Sequence, residues 1–152
     1  MKTFMQIVEE TSKTITEIMP WDLEEKLDSD TPPMLVDIRE PYEFDAMHIR
    51  GSISAPRGIL ETACEFNYEE TIPALAAARE ADIVLICRSG NRSVLTTAVL
   101  QQLGYQRVSS LKTGLRGWND YEQPMVNNNN DVVDIDIADD YFAVKIRPDQ
   151  EA

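Results

Sequence analysis

Cys87-Arg88-Ser89-Gly90-Asn91-Arg92 follows the apolar run Ile83-Val84-Leu85-Ile86 and precedes a segment of helical periodicity from Ser93 to Leu103. A cysteine at the carboxyl end of a buried strand, a short polar loop and a helix N-terminus together make a setting for nucleophilic sulfur. Gly90 accepts backbone dihedrals that other residues resist, so the amides of Ser89, Gly90 and Asn91 can curl around an anion. The helix aims its positive end at the same spot, and Arg88 and Arg92 add two formal charges. All of this favours a thiolate over a thiol at Cys87 and would retain a small charged product in the same cradle. A cysteine after a strand can also be an inert, small hydrophobe. An inert cysteine needs neither flanking arginines nor a glycine turn.

The elements that must position this loop are legible around it. Met34-Leu35-Val36-Asp37-Ile38 is nearly continuous in apolar residues, as strands covered on both faces are. With Ile83–Ile86 it forms the expected centre of a sheet. Thr14–Ile18, Ile53–Ala55 and Val108–Leu111 are shorter strand candidates. Pro20 suits the first position of a helix running to Leu27, Pro41 starts a turn of helix to Phe44, and Pro73 opens a helix within Ile72–Arg79. In the helix after the loop, Leu95, Ala98, Val99 and Leu103 share a face, and Gly104 sits where a C-cap belongs. Strands alternating with helices predict a compact α/β domain with a central, mostly parallel sheet flanked by helices. That domain is expected over residues 14–123, after an N-terminal extension of residues 1–13. Residues 124–152 are expected to be a linker through Asn127–Asn130 and an acidic C-terminal extension. In it Val133, Ile135 and Ile137 alternate with Asp134 and Asp136, a pattern that suggests a hairpin or an added edge strand, with an unstructured tail as the competitor.

Charge narrows the ligand. Fourteen Lys and Arg against 27 Asp and Glu give −13, which repels nucleic acid and anionic lipid surfaces. Yet Ile83–Asn119 contains no acidic residue and carries Arg88, Arg92, Arg107, Lys112 and Arg116. The expectation is a local site for a small anion in a molecule that discourages large polyanions. No apolar run approaches the roughly 20 residues a bilayer demands. Cys64 and Cys87 lie 23 positions apart without zinc spacing, and no His or carboxylate cluster accompanies them, so neither a metal nor a cofactor is expected. A cytoplasmic setting is expected, with both cysteines as free thiols.

Four segments of the chain together resemble a single-domain rhodanese of the rhodanese-like sulfurtransferase family. They are Leu35–Phe44, His48–Ser52, Cys87–Ser93 and Gly114–Trp118, in the family's order and spacing. The resemblance implies that Cys87 becomes a persulfide on taking sulfane sulfur from a donor such as thiosulfate. It further implies that Arg88, Ser89, Gly90, Asn91, Arg92 and Ser93 surround the terminal sulfur. Asp37 and Arg39 match the family's first motif and His48 begins its second, with Trp118 as packing behind the active face. The chain departs from the family at Arg50, where proline is usual, and at Thr113, where a second glycine is common. Sulfurtransferases of the family resemble one another in a six-residue loop from Cys to Arg, as in Cys87–Arg92. The related dual-specificity phosphatases and arsenate reductases carry seven.

The resemblance therefore implies a transferase that passes sulfur from a small anionic donor to cyanide, a thiol or a partner protein. An oxyanion enzyme of the phosphatase or arsenate-reductase kind, and a non-catalytic interaction module using the acidic extension, are the alternatives. Read as residues, Asp37 and Arg39 are a salt link at a strand end, and His48, the only histidine, is structural by default. Cys64 is read as a spectator.

Overall fold

The computed structural model describes all residues, 1–152. The five expected strands are present as β1 (Thr16–Ile18), β2 (Met34–Asp37), β3 (Ile53–Ser54), β4 (Asp82–Ile86) and β5 (Arg107–Leu111). They form one sheet in the order β1-β5-β4-β2-β3, and every pairing is parallel. The chain builds outward through β2 and β3 on one side, then returns to place β4 and β5 on the other. The direction of winding thus reverses between β2 and β4, and ligands of open α/β sheets bind at the carboxyl ends of strands flanking such a reversal. Cys87 and Asp37 both lie there.

Strand periodicity decides which layer each side chain joins. Along β4, Ile83 and Leu85, with Cys87 just beyond, pack into one core layer, and Val84 and Ile86 into the other. The first layer is covered by α4 (Leu60–Ala63), α5 (Pro73–Ala76) and α6 (Asn91–Gln102), with α1 (Phe4–Ser12) packed on the outside of α6. The second is covered by α2 (Pro20–Leu27), α7 (Gly114–Asp120) and α8 (Ile135–Phe142). α3 (Pro41–Ala46) follows β2 at the carboxyl edge. Cys87 therefore faces the layer that contains α6, whose N-terminus is the one the loop feeds.

In the terminal extension the residues expected to form a hairpin or edge strand form instead the helix α8. Asp134 caps it by accepting from the Asp136 amide, and Ala138 and Phe142, four residues apart, are the pair it buries. The alternation of Val133, Ile135 and Ile137 with aspartates mimics a strand, but Ile135 and Ile137 stay exposed. The asparagine run is an ordered turn: the Asn127 side chain accepts from the amides of Asn129 and Asp131. Val126 pairs antiparallel with both His48 and Val132.

Two contacts position the loop. The amides of Leu115 and Arg116 donate to the carbonyls of Cys87 and Arg88, each at 2.9 Å. This close approach requires Gly114, at φ +59°, because a Cβ there would lie 2.6 Å from the Cys87 oxygen and from the Arg88 carbonyl carbon and oxygen. At the other end of the loop, Arg92 grips Glu43 of α3 through two bonds of 2.9 and 3.0 Å. Burial pushes the Glu43 carboxyl up, but the Arg92 bonds and the Glu40 amide outweigh it and hold the group below the ordinary carboxylate value.

Gly114→Ala is expected to cost about 3 kcal/mol, because the atoms it meets are backbone and cannot swing aside. Gly58→Ala, where a Cβ meets nothing within 4 Å, should stay within about 0.5 kcal/mol of the parent in the same urea titration. A lowered carboxyl stabilises the fold above its unfolded value and loses that contribution as pH falls through its folded value. Glu43→Gln should thus cost about 1–2 kcal/mol at pH 7, discounted for the partial exposure of Arg92. The gap between variant and parent should close in urea titrations below about pH 4; an equal gap at both pH values would contradict the pairing.

Candidate active site

Cys87 is 1% exposed, and its sulfur is the focus of donors. The Gly90 amide lies 3.1 Å from Sγ, the Ser93 amide 3.4 Å and the Ser93 hydroxyl 3.2 Å. Ser110 of β5 lies 2.7 Å from the Ser93 hydroxyl, so Ser93 can accept there while donating to sulfur. Gly90 is the N-cap of α6 at φ +88°, and a Cβ on it would come within 2.9 Å of the Thr113 nitrogen. Both its conformation and its surroundings exclude a side chain. The amides of Ser89, Asn91 and Arg92 donate to no protein acceptor, which leaves them for an atom bound beyond Sγ. The expected cradle of Ser89, Gly90 and Asn91 is thereby divided: Gly90 and Ser93 hold the cysteine sulfur, while Ser89, Asn91 and Arg92 stand open.

The arginines serve differently from the sequence expectation of two free charges. Arg92 is committed to Glu43, so its guanidinium braces the loop against α3. Arg88 points to the end of α8, with Nη1 3.4 Å from the Tyr141 carbonyl and Nη2 3.3 Å from that of Ala143. Its guanidinium carbon lies 5.6 Å from the Phe142 ring centroid. A cation at the C-terminal carbonyls of a helix is favourably placed. Lys112 and Arg116 are the exposed cations beside the loop. Arg116 lines a cleft of about 550 Å³ with Ser89, Thr113, Trp21 and Tyr121.

The remaining sequence candidates support the site from behind. Asp37 and Arg39 form a fully buried pair, with the Arg39 Nε 2.9 Å and Nη2 2.8 Å from the two carboxylate oxygens, and Nη2 also donates to the Met47 carbonyl at 2.6 Å. Arg39 Nη1 is buried without a partner. This pair pins the segment after β2 to the end of α3. His48 stacks on Phe44 at 3.7 Å and holds the Phe44 carbonyl through Nδ1 at 2.8 Å, so its proton sits on Nδ1 and the ring is a strut. Trp118 is buried, with its indole N–H on the Pro124 carbonyl. Cys64 is a separate buried thiol whose acidity burial weakens.

Both departures from the family pattern have local explanations. Arg50 donates to the Asn130 carbonyl and so ties the second motif to the extension. Thr113 takes φ +65°, a conformation glycine adopts freely, and Gly117 makes room for its side chain, since a Cβ there would overlap the threonine hydroxyl. Sequence reasoning did not find Glu43, Ser110 or Tyr141. Glu43 had a detectable signal, because Glu40, Pro41 and Glu43 spell a helix start with a reciprocal cap, which the structure contains.

A family model of the rhodanese-like domain matches residues 19–121. A sulfurtransferase of Allochromatium vinosum is 31% identical over 112 residues, covering 74% of this chain and 95% of that protein. The YrkF protein of Bacillus subtilis is 30% identical over 110 residues, 72% of this chain, and the chain spans only 54% of YrkF's length. Among solved structures, a Rhodopseudomonas palustris protein of unknown function, described as a possible tyrosine phosphatase, superposes with a TM-score of 0.71 at 26% identity, over 82% of this chain and 94% of its own. With the cysteine loop, its braces and a family match spanning β2 to β5 and the loop itself, the chain belongs to the rhodanese-like domain family.

Proposed function

We propose that the chain is a sulfurtransferase that carries sulfane sulfur on Cys87. The observation that carries this reading is the loop's two-tier donor set: donors of Gly90 and Ser93 on Sγ, and unpartnered amides of Ser89, Asn91 and Arg92 for one further atom. The near-complete coverage of the Allochromatium vinosum sulfurtransferase supports it.

The reaction is a double displacement. Cys87, as thiolate, attacks the outer sulfur of thiosulfate or a comparable sulfane donor. A sulfur–sulfur bond forms to Cys87, the donor's sulfur–sulfur bond breaks, and its electron pair leaves with sulfite. The Cys87 persulfide carries its negative charge on the outer sulfur, where backbone amides replace water as donors at no cost of reorganisation. A nucleophile such as cyanide, a small thiol or the cysteine of a partner protein then takes the outer sulfur, and the bond pair returns to Cys87. Asp37, Arg39, His48 and Trp118 act in this reading by fixing the loop and its surroundings. The six-residue ring from Cys87 to Arg92 suits a single sulfur, whereas a phosphorus or arsenic centre with its oxygens asks for a wider ring.

Intact mass measurement after incubation with thiosulfate under non-reducing conditions should show the gain of one sulfur atom, removed by cyanide and absent from Cys87→Ser. Hydrolysis of an aryl phosphate that is lost in Cys87→Ser, with no sulfur adduct from any sulfane donor, would replace this reading with an oxyanion enzyme. Absence of both activities would leave the interaction module.

A further inference from the structure

We propose that the cleft between α2 and α7 binds a small zwitterion of the α-amino-acid class, whose carboxylate meets Arg116 and whose ammonium group meets Asp120. Both residues line this cleft, and its volume of about 550 Å³ is in the range of small-molecule sites. The proposed sulfur transfer uses neither side chain.

The two charges are placed against their own helix. Arg116 stands in the first turn of α7 and Asp120 is its last residue, so each sits at the end whose dipole opposes it. Side chains four apart on a helix are neighbours, and a cation preceding a carboxylate is the weaker of the two orders. They do not close on each other, and the protein's ion pairs include neither. Asp139, which shares a smaller recess with both, is already held by the Asn119 side-chain amide at 2.6 Å. A simple anion in the cleft meets Asp120 beside its cation, and a simple cation meets Arg116. A molecule that carries both signs on adjacent groups satisfies the two together.

The rest of the cleft suits the remainder of such a ligand. Trp21 of α2 and Tyr121, the C-cap of α7, pack edge-to-face at 5.9 Å, and both remain exposed. Their rings offer an apolar wall for a side chain and attract an ammonium group. Ser89 and Thr113 form the wall toward the cysteine loop. Thr113 holds φ +65°, a strained conformation for a β-branched residue, at this wall.

L-phenylalanine serves as the probe, with N-acetyl-L-phenylalanine lacking the ammonium group and L-phenylalaninamide lacking the carboxylate. Binding to the full chain is followed by tryptophan fluorescence, in which exposed Trp21 reports against buried Trp118, and by amide and indole chemical shifts that locate the ligand. Phenylalanine should bind about fivefold or more tightly than either analogue and move the signals of the Trp21 indole, Ser89 and Gly117. Arg116→Gln should weaken phenylalanine about fivefold and leave phenylalaninamide unchanged. Asp120→Asn should weaken phenylalanine by a similar factor without weakening N-acetylphenylalanine. Both side chains are exposed, so neither variant threatens the fold. Either analogue binding as tightly as phenylalanine overturns the proposal, as does a phenylalanine affinity that both variants leave unchanged. Shifts confined to residues away from the cleft, or none at about 10 mM phenylalanine, overturn it too. No step of the test involves sulfur, so its outcome is independent of whether Cys87 forms a persulfide.

Discussion

Two hydrogen bonds from the start of α7 to the carbonyls of Cys87 and Arg88 are the constraint on which the site depends. A trans peptide holds its C=O and N–H antiparallel, so turning those two carbonyls toward Leu115 and Arg116 turns the amides of Arg88 and Ser89 the other way. The loop then closes under Gly90 into α6, and its donors converge where the cysteine sulfur sits. Gly114 is what permits the approach. The positive environment of Cys87 is thus built from backbone dipoles held by packing, more than from formal charge: Arg92 is paired with Glu43, and Arg88 turns its guanidinium to the carbonyls of Tyr141 and Ala143. Fixed dipoles need no rearrangement when a charge forms, which fits the sulfur-carrying role proposed for Cys87.

The sheet supplies the rest through parity. Because side chains alternate along β4, Cys87 falls on the α6 layer together with Ile83 and Leu85. Ser110 of β5, buried against α6, meets Ser93 and orients its hydroxyl. The reversal of winding between β2 and β4 brings the Asp37–Arg39 pair to the same edge, where a buried bidentate link fixes geometry more than it adds stability.

The sheet and the cysteine loop were legible in the sequence because their signals are local. Apolar runs such as Met34–Ile38 and Ile83–Ile86 report strands buried on both faces, and a glycine between arginines after a cysteine reports a turn built for donors. What stayed hidden depends on contacts distant in sequence. The commitment of Arg92 to Glu43 joins residues 49 positions apart, and that of Arg88 to the Tyr141 carbonyl joins residues 53 apart. No spacing rule announces either. The extension misled for a different reason: its apolar residues fit a helical face, but a short helix burying only Ala138 and Phe142 leaves Ile135 and Ile137 outside, and their alternation with aspartate reads equally as a strand. The same extension accounts for Arg50, whose partner is a carbonyl of the asparagine turn.

The central claim is that backbone amides of the loop hold the outer sulfur of a Cys87 persulfide. Amide nitrogen and proton chemical shifts, recorded before and after addition of thiosulfate, test it most directly. The account predicts the largest changes at Ser89, Asn91 and Arg92, smaller ones at Gly90 and Ser93, and little movement at Leu115 and Arg116, whose bonds to the loop carbonyls persist. A protein that carries the added sulfur while the amides of residues 89–93 keep their shifts would contradict it.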